Sequence, residues 1–151
     1  MGNRGVITTE ENFEKNGVGV YLHWNGGRDS VEAFLAYCDL KGHRQPELDG
    51  YGWARLCQVI GNTFGGTLSV GMDNVKSLDC DNWDNGTYLI KDWKIVGRKY
   101  HERGEQNSHD FREFMHHIND HQPESERIPK EEIDKYCETR LAEQSEVEEH
   151  E

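Results

Sequence analysis

The change of periodicity within residues 18–41 constrains the fold of this chain most strongly. Residues 18–24 alternate between apolar and small or polar side chains, the two-residue period of a strand with one buried face. Residues 25–28, Asn-Gly-Gly-Arg, break this pattern. Apolar residues then recur at helical spacing, at Val31, Phe34, Leu35 and Cys38. We therefore predict a strand, a glycine turn and a helix over about residues 30–41.

The start of this helix carries a capping-box pattern. Asp29 is placed to cap the helix, and Glu32 follows three residues later. Gly42 stands where the helical spacing ends and is predicted to terminate the helix.

The remaining elements are predicted from the same two periods. We predict further strands at residues 4–9, 67–72, 87–90 and 93–98, helices at about 49–63, 109–120 and 130–142, and loops at residues 10–17 and 103–107. The resulting order is ββααβββαα, without regular alternation of strands and helices. This order predicts an α+β fold, an antiparallel sheet of about five strands with helices packed on one face. We divide the chain into an α+β body, residues 1–122, and an acidic C-terminal helix with a frayed tail, residues 123–151.

The negative charge is concentrated at the C-terminal end. The chain has a formal net charge of −12, and residues 123–151 alone hold 11 acidic and 4 basic residues. Such a balance excludes non-specific nucleic-acid binding, which needs clustered Lys and Arg, and disfavours an anionic membrane surface. With neither a membrane span nor a signal peptide in the sequence, we expect a cytoplasmic protein with free, buried cysteine thiols.

The turn after the second strand is the first candidate site. A helix N-terminus behind a glycine turn favours an anion, and an arginine there could clamp a phosphate or carboxylate. In this hypothesis the ring of Tyr21 or Trp24 stacks on the nucleobase of a nucleotide. His23 serves as a hydrogen-bonding group or as a general acid or base. The alternative is a structural turn in which Asp29 satisfies the helix. The candidate ligand-binding residues are Tyr21, His23, Trp24, Asn25, Gly26, Gly27 and Arg28.

Two polar clusters invite a metal interpretation but match no metal motif. His117 and His121 are four residues apart on the predicted helix that also carries His109 and His116, yet a third ligand is unspecified. A solvated face is the favoured interpretation. The loop with Asp79, Asp81 and Asp84 lacks the spacing and the closing Glu of a calcium loop.

No catalytic constellation is recognisable. The sequence has no nucleophile elbow and no phosphate-binding lysine loop. We expect no cofactor and no metal, and the absence of a catalytic set favours a binding protein over an enzyme.

The N-terminal pattern resembles that of small proteins of phages and mobile elements. The resemblance rests on Asn-Arg-Gly-Val-Ile at residues 3–7 and Val-Tyr-Leu-His-Trp-Asn-Gly-Gly at residues 20–27. Gly5 stands where that group usually has Ala, and Asn25 where it usually has Asp. The resemblance implies a phage or prophage accessory protein. Small acidic proteins of this kind often inhibit host defence, as anti-CRISPR proteins, DNA mimics or proteins that sequester nucleotide signals.

Three functional hypotheses follow. The leading one is an anti-CRISPR-like inhibitor whose carboxylates bind a basic host protein, such as a defence nuclease, in the host cytosol. Its candidate partner-binding residues are Asp79, Asp81, Asp84, Glu131, Glu132, Asp134 and Glu138. The second is a module that binds a nucleotide or signalling anion at residues 21–29. The third makes that site hydrolytic, with His23 as the acid–base group.

Overall fold

The described residues contain five strands, which form one mixed sheet in the order β3-β2-β1-β4-β5. A computed structural model of the protein describes residues 2–65, 70–101 and 109–150. The strands are β1 (Gly5–Thr8), β2 (Val18–Leu22), β3 (Val70–Asn74), β4 (Thr87–Lys91) and β5 (Lys94–Lys99). The helices are α1 (Glu10–Lys15), α2 (Arg28–Lys41), α3 (Gly50–Phe64), α4 (Phe111–Asp120) and α5 (Lys130–His150). The predicted loop at 103–107 and the start of the predicted strand at 67–69 lie outside the described residues.

The centre of the sheet is a parallel pair. β1 runs antiparallel to β2 but parallel to β4, with Ile7 opposite Val20 on one side and Tyr88 on the other. The α+β fold is confirmed, whereas the prediction of an antiparallel sheet was wrong at this pair. A two-residue period shows which side chains share a face, but it does not show the relative direction of strands that are distant in sequence.

One side of the sheet and four helices share a hydrophobic core. The sheet residues in this core include Ile7, Leu22 and Ile90, and α2 to α5 all contribute to it. In α2 almost every residue from Ser30 to Cys38 is buried. Full burial of one large aliphatic side chain stabilises a fold by roughly 1.5–3 kcal/mol. The core therefore fixes α2 as the central helix of this layer.

The segment 10–17, predicted as a loop, contains the short helix α1. Thr9 caps it, because its hydroxyl accepts a hydrogen bond from the Asn12 N–H at 3.1 Å. Two glutamates in the first turn and Lys15 in the last complement the helix dipole. α1 packs outside the core shared by α2 to α5, with the Phe13 ring 6.4 Å from that of Tyr100. The prediction that the helices pack on one face of the sheet therefore holds for α2 to α5. It did not include α1, which lies outside their core.

The start of α2 differs from the predicted capping box. The N-cap residue is Gly27, so no side chain caps the helix. Asp29, the predicted N-cap, lies inside the first turn. Glu32 instead pairs with Arg28 at 2.8 Å and with Arg140 of α5 at 2.6 Å. The glutamate therefore links two helices.

Helix α5 is anchored to the body over its first half. Ile128, Ile133 and Cys137 are buried in the common core, and α5 packs mainly on α4. The helix continues to His150, beyond the predicted end at residue 142. At 21 residues it is about 30 Å long.

Asn119 fixes the chain just before α5. Its Oδ1 accepts hydrogen bonds from the Tyr37 hydroxyl at 2.7 Å and the Ile128 N–H at 2.8 Å, and its Nδ2 donates to the Ile128 carbonyl at 2.8 Å. Burial raises the pKa of Tyr37 to about 12, so its hydroxyl remains a donor at neutral pH. The side chain of Asn119 thus joins α2, α4 and the approach to α5.

All four cysteines are free, as predicted, but only Cys38 and Cys137 are buried, whereas Cys57 and Cys80 are half-buried. Within the described ranges, no helix is both long enough and apolar enough to cross a membrane.

Asn119→Ala should lower the free energy of unfolding by about 3 kcal/mol, because it removes three hydrogen bonds and leaves buried polar groups without partners. Urea denaturation measures this loss. Asn74→Ala, at an exposed position of β3, is the control and should change stability by less than about 0.5 kcal/mol. Equal losses in the two variants would contradict the role assigned to Asn119.

Candidate functional site

The glycine turn is bound to the N-terminal segment. The Gly26 N–H donates to the Asn3 carbonyl at 2.7 Å, and the Asn3 N–H donates to the His23 carbonyl at 3.0 Å. The Tyr88 hydroxyl donates to the Gly26 carbonyl at 2.7 Å. A Cβ atom on Gly26 would lie 2.6 Å from the Gly5 nitrogen, so no side chain fits there. The turn is therefore fixed against the N-terminal segment, at the end of β2 and the start of β1.

The N-terminus of α2, which follows this turn, is already occupied by a carboxylate of the protein itself. The Asp29 carboxylate accepts hydrogen bonds from the Ser30 N–H and the His109 N–H, both at 2.7 Å. Arg28, the predicted clamp, is paired with Glu32. The positive groups of the predicted anion site are thus engaged by two carboxylates of the protein.

Tyr21, His23 and Trp24 form a connected aromatic group. The Tyr21 hydroxyl and His23 Nδ1 are 3.0 Å apart, and the His23 and Trp24 rings meet edge to face at 5.1 Å. Trp24 is 49% exposed and is therefore accessible for stacking. Burial raises the pKa of Tyr21, and the positive charge of Arg4 opposes that rise.

His109 connects the turn with the histidines of α4. Its ring Nε2 lies 3.0 Å from Asn25 Oδ1, and the ring stacks on Phe114 at 4.2 Å. The turn and the histidines were predicted as separate sites. No sequence signal could join them, because His109 is 80 or more residues from Asn25 and Asp29 along the chain.

The other histidines serve separate contacts. His116 Nε2 lies 2.7 Å from the Asp134 carboxylate, and the rings of His117 and His121 are 4.3 Å apart. Burial lowers the pKa of His117, and the neighbouring His121 and His109 lower it further. In the part of the chain that the structure describes, no group of three His, Cys, Asp or Glu side chains is arranged to hold a metal ion.

The aspartate-rich loop is bound to the N-terminus by Arg4. The Asp84 carboxylate accepts hydrogen bonds from Arg4 Nε at 2.8 Å and from the Arg4 N–H at 3.1 Å, and Asp79 lies 3.5 Å from Arg4 Nη1. Burial alone would raise the pKa of Asp84, but the hydrogen bonds and charge of Arg4 hold it below its ordinary value. Asp81 is exposed. Asp84 and Asp79 are therefore partly neutralised within the protein.

The same loop is organised from inside by Asn82. This side chain is fully buried, and its Oδ1 accepts three backbone N–H groups, those of residues 84, 85 and 86, at 3.0–3.1 Å. Its Nδ2 donates to the carbonyls of Asp79 and Gly86, each at 3.0 Å. The loop consequently has a fixed conformation rather than that of a flexible acidic segment.

The acidic side chains of α5 divide into two groups. Asp134 is paired with Arg112 at 2.9 Å and with His116, and the hydrogen bonds from these two residues lower its pKa. Glu131, Glu132 and Glu138 are exposed and form no ion pair with the described part of the chain. Glu143, a fourth described glutamate of α5, is likewise exposed and in no ion pair with the described residues, so this part of α5 presents four carboxylates outward.

Comparison of the chain with protein-family models, with curated proteins and with solved structures finds no match in any of the three.

Asp84→Asn should lower the free energy of unfolding at pH 7 by about 1 kcal/mol, because it removes the charge that Arg4 binds. A carboxyl whose pKa is depressed in the folded state stabilises the fold above its unfolded pKa, and this stabilisation is lost as the pH falls through the folded pKa. The difference between the variant and the wild type should therefore shrink from pH 7 to acid pH in urea titrations. A difference that is constant or grows on acidification would contradict this ion pair.

His121→Gln should raise the pKa of His117, because it removes a neighbouring group that becomes positively charged. Ring-proton titration by NMR measures this pKa directly. His101→Gln is the control, since His101 is exposed and is not among the groups that shift His117. If His121→Gln leaves the His117 pKa unchanged or lowers it, the two rings do not interact as described.

Proposed function

We propose that this protein is a phage-type accessory protein that inhibits a bacterial defence system by binding a basic protein surface, and that α5 makes the contact. The observation that carries the proposal is that three exposed carboxylates of α5, those of Glu131, Glu132 and Glu138, lie on the part of the helix that is fixed to the body. None of them forms a salt bridge with the described part of the chain, although the charge of Glu138 acts on Arg112, so a partner's Lys and Arg side chains can reach them.

The anchoring of α5 supports this role. Ile133 and Cys137 bury one side of the helix, and Arg140 reaches from α5 to Glu32 and to the face of the Phe111 ring at 3.8 Å. A surface that is rigid before binding loses less conformational entropy on association. The acidic side chains are thus presented in a fixed order along one helix.

The negative charge of α5 supports a partner that has a basic nucleic-acid-binding surface. Nucleic-acid-processing enzymes carry basic channels that bind phosphates, and carboxylates can occupy such a channel. Electrostatic complementarity mainly raises the association rate and the specificity, and salt weakens it. A defence nuclease is therefore the partner class that an acidic helix fits.

The other predicted contacts receive unequal support. Asp134, Asp79 and Asp84 are paired with basic side chains of the protein, whereas Asp81 is exposed. An acid already paired within its own chain adds less to a partner's binding. We assign the contact mainly to α5, with Asp81 as an accessory.

The nucleotide and hydrolysis hypotheses for residues 21–29 have less support. Their cationic groups are engaged, Arg28 by Glu32 and the helix N-terminus by Asp29. The accessible Trp24 ring is the one feature here that fits a stacking ligand.

Replacing Glu131, Glu132 and Glu138 together by Gln should abolish most of the inhibition, because it removes the outward charge while keeping the helix and its buried side. The assay is the plating of phage on bacterial strains that each carry one nuclease-based defence system, with the protein expressed from a plasmid. We expect the wild type to raise plating on at least one strain and the variant to lose about tenfold or more of that gain.

The matched control replaces Glu10, Glu11 and Glu14 of α1, which are also exposed, by Gln. It removes the same charge and should retain inhibition. Deleting residues 123–151 is a poorer test, because the deletion also removes buried Ile128, Ile133 and Cys137. Equal loss in both triple variants, or no rise in plating on any strain, would contradict the proposal.

A further inference from the structure

A cavity of about 350 Å³ lies where α2 ends, between α3 and the chain that leads into α5. The glycine turn lies at the opposite end of α2 from this cavity. The lining residues that bear on a ligand are Lys41, His43, Arg55, Asn62, Gln122 and Glu126.

The cavity is basic although the protein is acidic. Of the described residues that line it, Lys41, His43 and Arg55 are bases, and Glu126 is the single acid. Burial lowers the pKa of His43, and the charges of Lys41 and Arg55 lower it further. Both cations therefore act on His43, and an anion placed beside it would be attracted by both charges.

Lys41 is held in place by a weak internal partner. Its Nζ donates to the Glu126 carbonyl at 2.7 Å, while the Glu126 carboxylate is 3.4 Å away and that side chain is 60% exposed. The backbone contact positions the ammonium, which keeps further donor capacity for a ligand. An incoming anion can displace the loosely held carboxylate.

The lining also carries fixed amide side chains, here called the amide wall. Asn62 Nδ2 donates to Gln122 Oε1 at 3.0 Å, and Gln122 Nε2 donates to the Val59 and Ile118 carbonyls. Arg55 Nη1 donates to Gln58 Oε1 at 3.1 Å, so its guanidinium retains other N–H groups. The amide wall is therefore preorganised in the same cavity as the cations.

We propose that this cavity binds a small phosphate-bearing metabolite, with Lys41 and Arg55 holding the phosphate and the amide wall contacting the remainder. Arginine binds phosphate through paired N–H groups, and lysine contributes a point charge. The volume lies at the small end of the range for ligand pockets, which fits a compact monophosphate. This activity is separate from the contact assigned to α5 and does not depend on it.

The test is isothermal titration of the full chain with inorganic phosphate, with AMP and with adenosine, which lacks the phosphate. We expect at least one phosphate compound to bind and adenosine to bind more weakly. Lys41→Gln and Arg55→Gln should each weaken that binding about tenfold. Glu126→Gln should strengthen it about threefold, because it removes the competing carboxylate.

Lys76→Gln is the matched control, since it removes one positive charge from an exposed residue outside the cavity. It should bind as the wild type does. Thermal denaturation of each unliganded variant verifies that it is folded. The proposal is overturned if neither phosphate compound binds at millimolar concentration, or if adenosine binds as tightly as AMP. It is equally overturned if the Lys41 and Arg55 variants bind as the wild type does, or if Glu126→Gln weakens binding.

Discussion

The burial of α2 is the interaction on which the rest of this structure depends. The helix lies against the sheet on one side and contacts α3 and α4, and Val31, Phe34 and Cys38 are fully buried. Because the middle of α2 cannot move without opening the core, its two ends are fixed points. The glycine turn is held at its start and the basic cavity at its end. Glu32, near the start, carries the same constraint outward to α5 through Arg140.

The sequence was most informative where local periodicity and burial coincide. The helical spacing behind residues 25–28 located α2 within two residues of its observed start, and four of the five strands were located with small boundary differences. The fifth, β3, was predicted partly over residues outside the described ranges. The parallel direction of β4 depends on how residues 75–86 cross to reach β1, which no local period encodes. α1 was missed although Thr9 and two glutamates gave its capping signal, because the segment lacks an apolar stripe.

In the candidate sites, too, features formed by contiguous residues could be predicted and contacts between distant residues could not. The glycine turn was predictable because its residues are contiguous, and its close packing against the N-terminal segment explains Gly26. The pairing of Arg4 with Asp84 and the contact of His109 with Asn25 join residues 80 or more positions apart. Such pairings follow from topology, so sequence reasoning counted Asp84 as an outward charge when it is an internal partner. The basic cavity was missed for this reason too, since its cations come from residues 41–55 and its acid from residue 126.

The functional account assigns partner recognition to an acidic helix on a rigid frame, separate from the turn at residues 21–29. Carboxylate footprinting tests this most directly. The protein is labelled with a carbodiimide, alone and in an extract of a bacterial strain on which the plating assay gives a rise. The account predicts that Glu131, Glu132 and Glu138 lose labelling in the extract while Glu10 and Glu14 of α1 do not. Unchanged labelling of the α5 carboxylates, with protection elsewhere, would contradict it.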